Sequence, residues 1–152
     1  MLFRSHIITQ NVDNLHEKAG STKVLHLHGE LLKVRSIANK NQVLDWTEDL
    51  NVTDFDKNGY QLRPHIVWFG EDVPAIEEAV SVVSRADILI IIGTSLQVYP
   101  AASLINFANE NIPVYYIDPK PATVYDLPNS LKIIEAVASK GMETLQKELK
   151  KM

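Results

Sequence analysis

The chain has 152 residues, 45% of them hydrophobic and 22% charged, which is enough for one ordinary globular domain with a real core. Lys and Arg total 15 against 19 Asp and Glu, a net charge of -4, so this is not a basic protein built to coat nucleic acid. Cysteine is absent, which excludes disulfides, thiolate metal sites and a Cys nucleophile and fits a reducing, cytoplasmic setting.

Met1-Leu2-Phe3-Arg4 is too short and too soon polar for a signal peptide. No apolar run approaches the ~20 residues that span a bilayer, so no membrane partner is expected. Residues 41–90 carry ten acidic and three basic side chains, either a solvated face or a field that favours basic peptides.

In chain order, His6–Thr9 is a short apolar strand. Asn14–Ala19 reads as a short helix closed by Gly20. Val24–His28 is the next strand. Gln42–Trp46 forms a small strand inside a polar stretch from Lys33 to Arg63, and His65–Phe69 is extended. Pro74 lies where a helix can begin, with Ile76, Ala79, Val80 and Val83 on one face. Ile88–Ile92 is a continuous apolar run ending at Gly93, as suits a parallel strand covered on both sides. Pro100 can open another helix, with Leu104, Ile105 and Ala108 inward. Val114–Ile117 and Leu131–Ile134 are further strands. Ser139 can cap a last helix carrying Met142, Leu145, Leu149 and Met152 on one side. The alternation predicts an α/β fold with a parallel sheet, whose ligands bind beyond the carboxyl ends of the strands.

The residues just after the strands are therefore the candidates. Gln10-Asn11-Val12-Asp13 offers amides and a carboxylate that suit a sugar hydroxyl or a carboxamide, or an Asx-rich turn satisfying its own backbone. His28, beside Gly29, is placed for a general base, or for a structural histidine. His26, two residues earlier, reads as structural, and no cluster supports a metal on the two rings. Gly93-Thr94-Ser95 lets backbone amides approach a ribose or phosphate, or is a plain turn; no P-loop and no G-x-G-x-x-G is present. Asp118 can accept from ribose hydroxyls, or forms an Asp-Pro turn. Arg63–Glu71 has two aromatics beside Gly70; it can pair with an extended peptide, or is a core strand with Trp68 or Phe69 buried. The lysines at 147, 150 and 151 suit a solvated helix terminus.

Four segments in order resemble the sirtuins, in their short bacterial branch. They are Thr9–Gly20 (TQNVDNLHEKAG), Leu27–Leu31 (LHGEL), Arg63–Glu71 (RPHIVWFGE) and Gly93–Ala102 (GTSLQVYPAA). The resemblance spans nearly the whole chain and implies an NAD-dependent protein lysine deacylase, of deacetylase or desuccinylase type, releasing nicotinamide and O-acyl-ADP-ribose. It implies His28 as the base toward the nicotinamide ribose and Asn11 as the residue that orients ribose and water. Gln10 would bond the ribose, and Asp13 the nicotinamide carboxamide, with Val12 between them. Gly93, Thr94 and Ser95 would contact the central part of NAD. Asp118 lies where the family often has Asn at the adenosine ribose, and Val137 is a loose match to an adenine contact. Val67, Trp68, Phe69, Gly70 and Glu71, with Val98 and Tyr99, would hold the acylated-lysine peptide as a strand between two strands.

Two departures carry expectations of their own. The family's four zinc cysteines are absent from the stretch Lys33–Arg63, with Ser36 near the place of the first. No zinc is expected, and packing around Val43, Leu44, Trp46 and Tyr60 is expected to hold that module. Nothing in Met1–His6 matches the family's Gly-Ala-Gly-x-Ser segment, which binds the NAD phosphates. The expected fold is thus one sirtuin-type domain over 1–152: an N-terminally incomplete Rossmann-like part at 1–32 and 64–152, and a small zinc-less module at 33–63. An exposed sheet edge, open to self-association, should follow. Catalysis by these residues alone is expected to be weak or absent. Two other readings stay open: a non-catalytic NAD- or peptide-binding module completed by another chain, and another NAD-consuming enzyme such as an ADP-ribosyltransferase.

Overall fold

β-Branched and aromatic runs become parallel strands here, and the polar stretch that looked nearly structureless becomes an antiparallel sheet. The structure, a computed structural model, describes residues 4–151; the readings placed on Met1–Phe3 and on Met152 lie outside the described residues. The chain divides into two units, one ending at Ile76 and one beginning at Glu77.

In the first unit, β1 (Ile7–Thr9), α1 (Leu15–Lys18) and β2 (Val24–His26) form a small βαβ crossover. The two strands are parallel, with Ile7 opposite Val24 and Thr9 opposite His26. The second strand stops at His26, so His28 lies beyond its end, in a turn. Next, β3 (Gly29–Ser36) lies between β4 (Val43–Asp45) and β5 (Leu62–Ile66), antiparallel to both.

The eight-residue β3 is the main element the sequence reading missed. Leu31 and Leu32, near its start, are exposed, while Val34, Arg35 and Ser36, at its end, are all buried. Burial thus changes along the strand, with an irregularity in its pairing between Glu30 and Val34, and shows none of the period-two alternation on which a half-buried strand is recognised. This antiparallel sheet extends past both 33 and 63. The expected packing around Leu44 and Tyr60 is corrected, since these side chains are 41% and 51% exposed. Val34 and Leu62 are the buried apolar residues there. A polar anchor joins them: buried Asp56 accepts the amides of Asn58 at 2.8 Å and Tyr60 at 2.9 Å. The Ser36 hydroxyl, foremost among its partners, and the Tyr60, Asn58 and Gly59 amides hold its carboxyl below the usual range, against a smaller opposing push from burial.

The second unit holds α2 (Ile76–Val83, which starts at the boundary), β6 (Leu89–Ile92), β7 (Val114–Ile117), β8 (Leu131–Ile134) and α3 (Ala138–Leu149). The strands form a parallel sheet ordered β6-β7-β8. All four residues of β7 are buried, as a central parallel strand requires. Tyr115 and Ile117 pack with Leu145 of α3, each burial contributing roughly 1.5–3 kcal/mol. Helix α3 approaches closely at Gly141, where any side chain would strike the Ile117 side chain.

Two helix readings are corrected. The segment after Pro100 is a 3-10 helix, Ala101–Phe107. The N-cap of α3 is Val137, in extended backbone and without a side-chain cap; Ser139 lies inside the helix. Parallel strands with crossover helices in both units make the fold Rossmann-like α/β. Among the described residues, β1 pairs only with β2 and β6 only with β7, so each keeps one unpaired edge.

Candidate active site

The end of β1 sets the first part of the site. Buried Thr9 accepts the Asn11 amide on its hydroxyl at 3.1 Å, turning the chain so that the amide side chains of Gln10 and Asn11 follow the strand. Asp13 accepts the Leu15 amide at 3.0 Å, an Asx turn at the entrance to α1. One carboxylate oxygen of Asp13 is thus used locally, and the other has no partner among the described residues.

His28 faces this turn. Its Nδ1 lies 3.1 Å from the Gln10 carbonyl oxygen. A carbonyl can only accept, so Nδ1 carries the proton and Nε2 carries the lone pair. The ring is therefore oriented as a base. The His28 carbonyl in turn accepts the Val67 amide at 2.9 Å, which fastens the Val67–Glu71 segment to the base. Gly29, at φ +81°, permits this join; a side chain there would strike the His65 carbonyl.

His26 does more than its structural reading implied. Its Nδ1 donates to the Asn11 carbonyl at 2.9 Å, and its Nε2 meets the Glu17 carboxylate at 3.0 Å. Burial works against the charged ring, yet the bonds to Glu17 and Asn11 together raise its pKa above the ordinary value. The hydrogen bond from His26 lowers that of Glu17. His26 thereby holds the Asn11 backbone.

The peptide candidates Val67–Glu71 form no strand, because β5 ends at Ile66. Trp68–Glu71 is a turn, with the Glu71 amide on the Trp68 carbonyl at 3.0 Å. Trp68 and Phe69 are 56% and 102% exposed, which removes the buried-core alternative. The Glu71 carboxylate is taken up internally. It accepts from Arg63 at 2.6 Å, from Arg35 at 3.2 Å and from the Trp68 amide at 3.1 Å. The Arg63 hydrogen bond, then the Trp68 amide, hold its pKa down to about 2. Arg35 and Arg63 carried no sequence signal for this role, since Arg35 lies in a strand that the sequence pattern hides and its burial shows only in the fold. A cavity of about 90 Å³ lies beside them, lined by His26, Leu27, Gly29, Arg35, His65 and Val67 among others.

In the second unit, Gly93 (φ +61°) follows β6, and its amide donates to the Ile117 carbonyl at 3.0 Å. Thr94 accepts the Leu96 amide on its hydroxyl at 3.3 Å, and Ser95 is exposed. Asp118 follows β7 and accepts the Lys120 amide at 2.7 Å, leaving its second oxygen free among the described residues. Both loops thus lie at carboxyl ends of adjacent parallel strands, where such sheets take ligands. Val98, Tyr99 and Val137 are exposed, at 45%, 74% and 55%. The structure brings Gln10, Asn11, His28 and Val67 together in one unit, and Gly93–Ser95 with Asp118 in the other. The residues of the 33–63 stretch do not fit a zinc site: it has no thiolate, and Ser36 is buried beside Asp56. Among the described residues, no three His, Asp or Glu side chains converge as metal ligands.

Comparison with known proteins gives concordant results. The family model described as Sir2 family matches residues 3–100. A protein named NAD-dependent protein deacylase from Helicobacter pylori is 53% identical over 150 residues, 99% of this chain and 65% of that protein. One of the same name from Bacteroides thetaiotaomicron is 49% identical over 153 residues, 97% of this chain and 65% of that protein. A solved Sir2 homologue in complex with NAD superposes with a TM-score of 0.80 at 36% identity, covering 97% of this chain and 59% of that one. A solved Sir2 with a p53 peptide and NAD+ gives 0.73 at 28% identity, covering 95% and 63%. The chain thus spans about 65% of the length of these curated relatives.

Proposed function

The chain belongs to the Sir2 family, and from that premise we propose that it carries the base and the substrate-facing segment of an NAD-dependent protein lysine deacylase. The observation that carries the proposal is the His28 tautomer: Nδ1 donates to the Gln10 carbonyl, so Nε2 is free to accept a proton.

The reaction proceeds in these terms. The acyl oxygen of the modified lysine attacks C1′ of the nicotinamide ribose as nicotinamide leaves with the bonding pair. His28 Nε2 takes the proton of a ribose hydroxyl, which then attacks the acyl carbon. Water completes the release of the free lysine and of O-acyl-ADP-ribose. Asn11 and Gln10 orient the ribose, and Asp13 holds the carboxamide with its uncommitted oxygen. Gly93, Thr94, Ser95 and Asp118 hold the rest of NAD, and exposed Val137 offers an apolar contact to adenine. The exposed Trp68 and Phe69, with Val98 and Tyr99, receive the acylated-lysine peptide. No zinc takes part. The relatives named NAD-dependent protein deacylase and the Sir2 structures with NAD and a p53 peptide support this reading.

The unpaired edges of β1 and β6 favour a second reading, in which another chain or a second copy adds a strand and completes the site. The absence of cysteine supports a cytoplasmic place. No helix among the described residues is long and apolar enough to cross a membrane.

The test is nicotinamide release from NAD by the purified chain, with acylated and unacylated lysine peptides. Release that needs the acylated peptide and is lost in His28→Ala supports the proposal. Release without the acyl group points instead to ADP-ribosyl transfer. Binding of NAD or peptide without release favours the non-catalytic module.

A further inference from the structure

Tyr116 lies on the central strand β7, buried on both faces, where Val114 and Ile117 show the expected side-chain type. A hydroxyl at a site with 0% exposure costs free energy unless it is bonded. The phenol is bonded twice. It donates to the Thr94 carbonyl at 2.7 Å and accepts the Ala122 amide at 3.0 Å.

Those two partners belong to different loops. Thr94 is in the turn after β6, and Ala122 is in the segment after β7 that starts at Asp118. Each loop has some support of its own: the Gly93 amide on the Ile117 carbonyl, and the Lys120 amide on Asp118. The Tyr116 side chain bridges the two directly. It acts where support is needed, since Leu96, two residues past Thr94, has a φ of 52°, disfavoured for a leucine.

We propose that Tyr116 is a positioning residue for the nucleotide. Its hydroxyl sets the spacing between the Gly93–Ser95 turn and the Asp118–Ala122 segment, so that both meet the cofactor together. This rests on the reading that these loops hold NAD.

The test titrates ADP-ribose into the purified chain and follows amide exchange. Tyr116→Phe keeps the ring and removes the bridge. It should weaken ADP-ribose binding about tenfold, as two lost hydrogen bonds imply, and speed exchange at Ala122 and Leu96. Tyr115→Phe is the control, because Tyr115 packs in the core beside Ile117 and Leu145; it should leave affinity unchanged. Wild-type binding with equal affinity in Tyr116→Phe overturns the proposal and leaves the cofactor reading intact. No binding by the wild type, or binding indifferent to Gly93→Val, overturns the cofactor reading and this proposal with it. If Tyr116→Phe does not fold, Ala122→Pro removes the donated amide and is judged by the same affinities.

Discussion

His28 Nδ1 lies 3.1 Å from the carbonyl oxygen of Gln10, so the backbone of one proposed ribose-binding residue sets the tautomer of the proposed base. General-base catalysis contributes roughly 10²–10⁴-fold. His28→Ala should lower acyl-dependent nicotinamide release by about that factor, while ADP-ribose affinity changes little. Equal activity in the variant would remove His28 from the chemistry.

Glu71 ties the Trp68–Glu71 turn to Arg35 and Arg63. Glu71→Gln keeps the shape and loses the charge. The Michaelis constant for acylated peptide should rise several-fold, with that for NAD unchanged. The carboxyl is held at about 2, below its usual 4.5, so its contribution is present above pH 4.5 and is lost only as the pH falls toward 2. Trp68 fluorescence in the wild type should therefore hold steady from pH 7 to about pH 4, then change; the variant should lack that acid transition.

The His26–Glu17 pair has a different window. His26 is raised above 6.5, so its contribution is whole below pH 6.5 and fades as pH rises through the folded value. Glu17 is lowered below 4.5, so its contribution is whole above pH 4.5 and fades in acid. The pair supports the Asn11 turn best between these values. The urea midpoint should show a small, salt-sensitive maximum there, and Glu17→Gln should flatten it.

How much of this was legible follows from what each signal measures. The parallel strands of the second unit were plain, because Ile88–Ile92 and Val114–Ile117 are continuous apolar runs. His28, Asn11 and the Gly93 turn were legible by their place after strands and by family resemblance. Strand β3 was hidden, because Leu31 and Leu32 near its start are exposed and the polar Arg35 and Ser36 at its end are buried, a pattern with no period of two. The bridging role of Tyr116 was hidden too: a tyrosine in an apolar strand reads as core, and only three-dimensional placement shows where its hydroxyl goes. The same holds for Glu71, whose two arginines lie 8 and 36 positions away in sequence.

Gly29 makes the join between β2 and β3 possible, with φ +81° and the His65 carbonyl against its α-carbon. Gly29→Ala adds both backbone strain and a collision with rigid backbone. It should destabilise the chain by about 2 kcal/mol or more, read as a fall in the urea midpoint. Gly20→Ala, also at positive φ but with open space around it, should cost less. Equal losses would show that backbone conformation alone matters at Gly29.

The stretch 33–63 is held by protein groups: buried Ser36 and Asp56, the Asn58 and Tyr60 amides, and the Val34 and Leu62 side chains. Metal removal should therefore leave it unchanged. Dialysis against a strong chelator should leave the thermal midpoint and circular dichroism as before, and elemental analysis should find zinc far below one per chain. Asp56→Ala, by contrast, removes the acceptor of the Asn58 and Tyr60 amides and leaves the buried Ser36 hydroxyl with only the Ala38 amide, and each lost hydrogen bond costs roughly 0.5–1.5 kcal/mol. It should lower the midpoint by several degrees, and added zinc should not restore it. Stoichiometric zinc, or rescue of Asp56→Ala by zinc, would show that a metal holds this stretch.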